Sequence, residues 1–237
     1  PGAIAVMSGL VHLDVWGNGL SGVLSEAFGN LSSLQSCRLA YNDFTGTMPH
    51  AIGAMSRLTR WEIQHNHFGG SVPDSVHSLA ALEYWDLQGN DLVGAIPNAI
   101  GGMRHITYLS MEGNDFTGPI PAAIGSFQAL AFWSLGSNKV SGSIPTTIGN
   151  LTALVHWDLA LNALTGRIPD AVGHLSALEH WHLLDNSLAG QLPDAIAFLS
   201  NLTTWHLGGN DFSGALPAGL GGLAKLEALD LRGSSRL

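Results

Sequence analysis

Apolar positions along the chain fall into columns that repeat every 24 residues. Counted from Asn18, Asn42, Asn66, Asn90, Asn114, Asn138, Asn162, Asn186 and Asn210, an inward residue stands eight, five and three positions earlier. At Asn90 these are Leu82, Trp85 and Leu87, and at Asn186 they are Leu178, Trp181 and Leu183. The next step of the ladder lands on Ser234, with nothing inserted or deleted along the way. From six to two positions before each asparagine, side chains alternate outward and inward, the period of a β-strand. A strand that returns in the same direction every 24 residues builds a parallel sheet, because antiparallel neighbours are joined by short hairpins. Neighbouring strands lie ~4.8 Å apart, so ten of them line an arc of roughly 43 Å. A fixed period of this length marks a repeat solenoid, in which each repeat touches only its neighbours.

The polar and special residues of the repeat follow from this frame. Stacked turns leave backbone groups facing inward, and a buried unpaired group costs ~1–3 kcal/mol. An asparagine offers two donors and an acceptor, so the column predicts a ladder that satisfies these groups in register. Glycine stands four positions after every asparagine, from Gly22 to Gly214, marking a close approach or a positive φ. Proline stands seven after it from Pro49 to Pro217, with Ser25 the exception. Glycine stands eleven after it, as in Gly53 and Gly149, with His77 and Ala197 the exceptions. Proline suits a helix start and glycine the residue past its end. The pair therefore predicts one short helical turn per repeat.

Leu82, Trp85, Leu87, Asn90, Leu92, Gly94, Ile96, Pro97, Ile100 and Gly101 match the plant-type leucine-rich repeat, and the other repeats follow the same columns. The chain resembles that family over essentially its whole length. The resemblance implies an α/β-type repeat solenoid over residues 1–237. Its shape is a curved horseshoe, with a parallel β-sheet on the concave face and short helical turns on the convex side. It implies non-catalytic recognition of a protein or peptide partner, as in receptor-kinase ectodomains, receptor-like proteins and polygalacturonase inhibitors. Those relatives place it outside the cell or at its surface.

Trp61, Trp85, Trp133, Trp157, Trp181 and Trp205 depart from the family, which has leucine in this column. The position points inward by the alternation, so the rings are expected to stack in the core, with each indole N–H finding an acceptor such as a backbone carbonyl. Trp16 lies two before its asparagine, on the outer side of the sheet. Cys37, the only cysteine, occupies an inward column and reads as a buried, inert thiol.

A net charge of −9 argues against nucleic acid and anionic membrane surfaces. No apolar run approaches the ~18 residues of a membrane span. Pro1 falls in the proline column and the chain stops just past Ser234, so both ends are expected to be uncapped. That predicts the middle of a longer protein, or ends abutted by other chains. Asn30-Leu31-Ser32, Asn150-Leu151-Thr152 and Asn201-Leu202-Thr203 are glycosylation sequons, with Asn30 and Asn150 in one convex column.

Fold positions are spoken for, so function is expected in the variable outward positions. Tyr84, Tyr108, Phe132, His156 and His180 form a stripe of rings six before the asparagine on five successive strands. Rings on a surface favour binding. Asp86, Glu112, Asp158, His182 and His206 complete the expected contact surface. His156, His180, His182, His206 and Asp158 cluster over three strands, a set chemically able to bind Zn²⁺ or to sense pH. The open sheet offers no identifiable second shell, so neither metal nor cofactor is expected. Glu62 and Asp86 on adjacent strands match a glycosidase pair only in spacing, and solvated charge is the expected state. Asp158 and His182 lack a serine nucleophile. No enzyme is expected. The alternative class is a structural or adhesive module of a wall, matrix or assembly.

Overall fold

The computed structural model describes residues 4–234. Pro1 therefore lies outside the described residues. Ten three-residue strands, from His12–Asp14 to Ala228–Asp230, form one parallel sheet in strict chain order. Equivalent positions pair across it: Phe132 lies opposite His156 and Trp157 opposite Trp181. No closed barrel forms among the described residues. Among the described residues no helix is long and apolar enough to cross a membrane.

A second parallel sheet of nine strands, from Ser21–Val23 to Asp211–Phe212, runs along the other side of the asparagines. The alternation does not reveal it. Each of these strands after the first buries a single large residue, such as Phe44, Phe116 or Phe212, and glycine follows two positions later. One apolar residue per strand is too few for a period-two signal. Gly118 in this run has φ +73°, so the glycine four after the asparagine answers a backbone requirement.

The asparagine ladder is complete through the middle of the solenoid. The Asn66 amide donates to Leu39 O of the preceding repeat (3.0 Å) and to Ile63 O of its own (3.1 Å), while its Oδ1 accepts from Phe44 N–H (3.0 Å). One side chain thus ties two repeats and two strands together.

Each repeat closes through a short 3₁₀ turn such as His50–Ala54 or Thr146–Asn150. Proline is the residue before the turn, extended at φ −71° and ψ 145° in Pro145. The glycine eleven after the asparagine sits inside the turn, not past its end. A Cβ at Gly53 would lie 2.7 Å from the carbonyl oxygen of Ser75. The next repeat presses against this point, so the glycine is selected by stacking distance.

All six core indoles are buried to 1% exposure or less. Trp61 and Trp85 stack at 5.4 Å, Trp133 and Trp157 at 6.0 Å, and Trp157–Trp181 and Trp181–Trp205 at 5.5 Å. Leu109 separates the two runs. The expected acceptors are missing: none of the six indole N–H groups has a hydrogen-bond partner among the described residues. Cys37 is buried as expected, and burial, reinforced by the Glu62 charge, pushes its thiol up out of the reactive range.

Candidate functional site

The ten-stranded sheet presents three outward rows, and the rings occupy the first. Tyr84 and Tyr108 stack at 4.1 Å, Tyr108 and Phe132 at 4.4 Å, and Phe132 and His156 at 4.5 Å, with planes within 7° of parallel. Strand spacing enforces this, since equivalent residues of neighbouring strands stand about one ring thickness and a little more apart. The guanidinium of Arg60 lies 3.8 Å from the Tyr84 ring centroid and extends the stack by one strand. The outward-row reading left Arg60 out of the stripe. Its place beside Tyr84 in the same column was the available signal.

Two expectations about the stripe need correction. The rings are half-buried, because each covers the face of the next. The stripe also ends at His156. His180 tilts 53° away at 5.8 Å, and its Nδ1 lies 2.9 Å from Thr204 Oγ1. That hydroxyl on the next strand turns the imidazole out of the stack.

Two carboxylates of the second row, Glu62 and Asp86, are buried and not solvated. Glu62 is 3% exposed and accepts from Arg38 Nε (3.0 Å) and from Arg60. Arg38 also reaches Asp14 at 2.6 Å. Asp86 is 4% exposed, so it offers little to a partner, contrary to its expected place in the contact surface. Its Oδ1 accepts from Gln88 N–H (3.1 Å). Burial raises the Asp86 carboxyl to about 6, against that hydrogen bond, with the Glu62 and Glu112 charges adding to the rise. Alternation gives a side chain's direction; long neighbours on both adjacent strands decide its depth. Glu112 remains half-buried and accepts from Ser134 Oγ (3.1 Å).

The raised Asp86 carboxyl makes a stability prediction. A group whose folded pKa exceeds its unfolded value binds its proton more tightly in the folded state. Its contribution is then present below the ordinary aspartate value of 3.8 and is lost as pH rises through about 6. Asp86→Asn keeps the acceptor for Gln88 N–H and removes the charge. We expect it to stabilise the fold by about 1–3 kcal/mol at pH 7 and to change it little at pH 3.5. Urea denaturation of both proteins across this range measures the difference. A gain that does not vary with pH would assign the effect to something other than the buried charge.

The histidines gather toward the far end. His156 and His182 meet edge to face at 5.5 Å, and His182 stacks on His206 at 4.8 Å and 12°. His182 Nδ1 lies 3.6 Å from Asp158 Oδ2, and Asp158 Oδ1 accepts from Ala160 N–H (2.8 Å). Burial works to raise Asp158, but His182 and the Ala160 N–H outweigh it and hold the carboxyl below its ordinary value. Burial and the neighbouring His182 lower both His156 and His206.

One row escaped the sequence reading. The residue just before the asparagine has positive φ in every described repeat, and five of these residues are not glycine: Tyr41, His65, Ser137, Leu161 and Asp185. Trp16, half exposed as expected for its outward position, lies against Tyr41 at 5.2 Å and a 57° tilt, and Tyr41 against His65 at 4.5 Å and 35°. Gly17, Gly89, Gly113, Gly209 and Gly233 in the same column were the signal for a left-handed position.

Two of the three sequons lie on the 3₁₀ turns. Asn30 and Asn150 are exposed and end the turns Glu26–Asn30 and Thr146–Asn150. Asn201 is half-buried, and its amide donates to Ser176 O (2.8 Å).

Comparison with known proteins gives a consistent picture. The family described as Leucine Rich Repeat matches residues 9–31 and 105–127. The ectodomain of the Arabidopsis thaliana membrane receptor kinase GASSHO1/SCHENGEN3, solved with CASPARIAN STRIP INTEGRITY FACTOR 2, is 34% identical over 96% of this chain, with a TM-score of 0.92. The Arabidopsis receptor kinase HAESA, solved with the peptide hormone IDA and a co-receptor, is 32% identical over 92% of it, with a TM-score of 0.88. A leucine-rich-repeat protein of Leptospira interrogans is 29% identical over 98%, with a TM-score of 0.77. This chain spans 28% and 36% of the length of the two plant structures and 62% of the bacterial one. No curated protein matches it.

Proposed function

We propose, from the premise that the chain belongs to the plant-type leucine-rich-repeat family, that it is a non-catalytic recognition module binding a peptide along the concave face. The carrying observation is the Arg60–Tyr84–Tyr108–Phe132–His156 stack, which crosses five strands and presents ring edges and one cation to the groove. Stiff rings supply contact area at little entropic cost, and a stack already formed needs no ordering on binding. Glu112, Asp158, His182 and His206 flank it with polar groups that fix a peptide backbone. One of the plant ectodomains it resembles, that of HAESA, was solved with a peptide hormone, which supports the same class of partner here. An extracellular or cell-surface setting fits the same relatives and the exposed Asn30 and Asn150.

Peptides selected from a displayed library against the protein test this reading. Tyr108→Ala with Phe132→Ala should weaken the selected peptides at least thirtyfold, the scale of one strong contact residue lost. Far-UV dichroism of the variant should remain that of the parent. Peptides that bind parent and variant equally would move the site off the ring stack.

A further inference from the structure

We propose that His156, Asp158 and His182 form a site for a divalent transition-metal ion of the zinc type, with an open coordination position facing the groove. The three side chains come from two paired strands, His156–Asp158 and His180–His182, where Asp158 lies directly opposite His182. One ligand atom from each lies within 4.8 Å of the other two. Donors around one tetrahedral Zn²⁺ stand about 3.4 Å apart, from bond lengths of roughly 2.0–2.2 Å. The Asp158–His182 pair already stands at 3.6 Å, and closing the remaining gaps takes roughly 1.4 Å of side-chain movement.

The surroundings favour an ion over a plain polar surface. Asp158 is half-buried, and its one ion-pair partner among the described residues is the imidazole of His182. The other outward positions of its own and the two adjacent strands hold His156, Phe132, Ser134, His180 and His182, with no lysine or arginine. Neither ring nitrogen of His156 makes a hydrogen bond among the described residues, although stacking on Phe132 holds its plane. The backbone N–H of Ala160 engages one Asp158 oxygen and leaves the other toward His182. Half of the second shell judged missing from the sequence is therefore present: a ring wall that orients one imidazole and a backbone donor that orients the carboxylate. Two imidazoles with one carboxylate suit Zn²⁺ better than Ca²⁺ or Mg²⁺, which take oxygen ligands. Three protein ligands from one open sheet leave a fourth position to water or to an incoming group.

Calorimetry with Zn²⁺ on chelator-stripped protein tests the assignment. The parent should show one saturating site with a stoichiometry near one. Asp158→Asn, which keeps the oxygen that Ala160 N–H engages, and His182→Ala should each weaken it at least tenfold. His174→Ala, outside the cluster, should leave it intact. Co²⁺ added to the parent should give visible d–d bands that both cluster variants lose. The site is overturned if no saturation occurs. It is equally overturned if either cluster variant keeps parental Zn²⁺ affinity, since binding would then belong to scattered surface histidines.

Discussion

Replacing Asn114 by alanine should cost about 1–3 kcal/mol and loosen the repeats on either side of it. Its amide donates to Leu87 O (3.0 Å), Met111 O (3.1 Å) and Glu112 O (3.2 Å), and its Oδ1 accepts from Leu92 N–H (3.1 Å). Alanine leaves Leu92 N–H without a partner, whereas Leu87 O and Met111 O keep the amides of Asn90 and Asn138. An orphaned buried group costs ~1–3 kcal/mol, which sets the range. Asn114→Asp separates the ladder from mere turn preference. Aspartate shares asparagine's liking for turns and keeps the acceptor, but it turns the donor end into a charge facing carbonyl oxygens. It should therefore be at least as damaging as alanine at pH 7. Native-state hydrogen exchange should show the loss concentrated near residues 87–116, because a solenoid couples only neighbours. A stability for Asn114→Asp within 0.5 kcal/mol of the parent (about the spread of a neutral surface change) would reduce the column to a turn signal.

Trp157→Ala should cost about 3–5 kcal/mol, the range for deleting a large aromatic from a packed core. Trp157 is fully buried between Trp133 and Trp181. Trp157→Leu should cost less than half as much, for two reasons. Leu109 fills the same column between Trp85 and Trp133, so the repeat accommodates leucine there. Leucine also removes one of the unpaired indole N–H groups, whose burial works against stability. Urea midpoints of the three proteins compare them. Equal losses for leucine and alanine would mean the unpaired N–H carries no penalty and ring contact is all that counts.

The columns made most of this fold readable. A side chain's inward or outward direction follows from period two, and the ladder follows from what an asparagine can donate and accept. Depth and rotamer do not follow. Glu62 and Asp86 point outward as read, yet neighbours 24 residues away bury them. His180 belongs to the ring column, yet Thr204 on the next strand turns it aside. The second sheet was hidden because Phe116 and its equivalents are the single large buried residues of their strands. The stacking of Tyr84, Tyr108, Phe132 and His156 follows from the fixed period, whereas the closeness of His156, Asp158 and His182 rests on side-chain turns that spacing does not record.

The two ring stacks together have a mechanical consequence. On the outer side of the ten-stranded sheet, Tyr84, Tyr108, Phe132 and His156 stand 4.1–4.5 Å apart, while the core indoles stand 5.4–6.0 Å apart. Each repeat is a wedge, thinner toward the groove. The thin side is already near carbon–carbon contact, about 3.5–4.0 Å, where repulsion rises steeply. The thick side has slack. Tightening the curve must compress rings that are almost touching, whereas straightening it only slides them apart against weak attraction. The horseshoe behaves as a spring with a stop: stiff when squeezed, compliant when pried open.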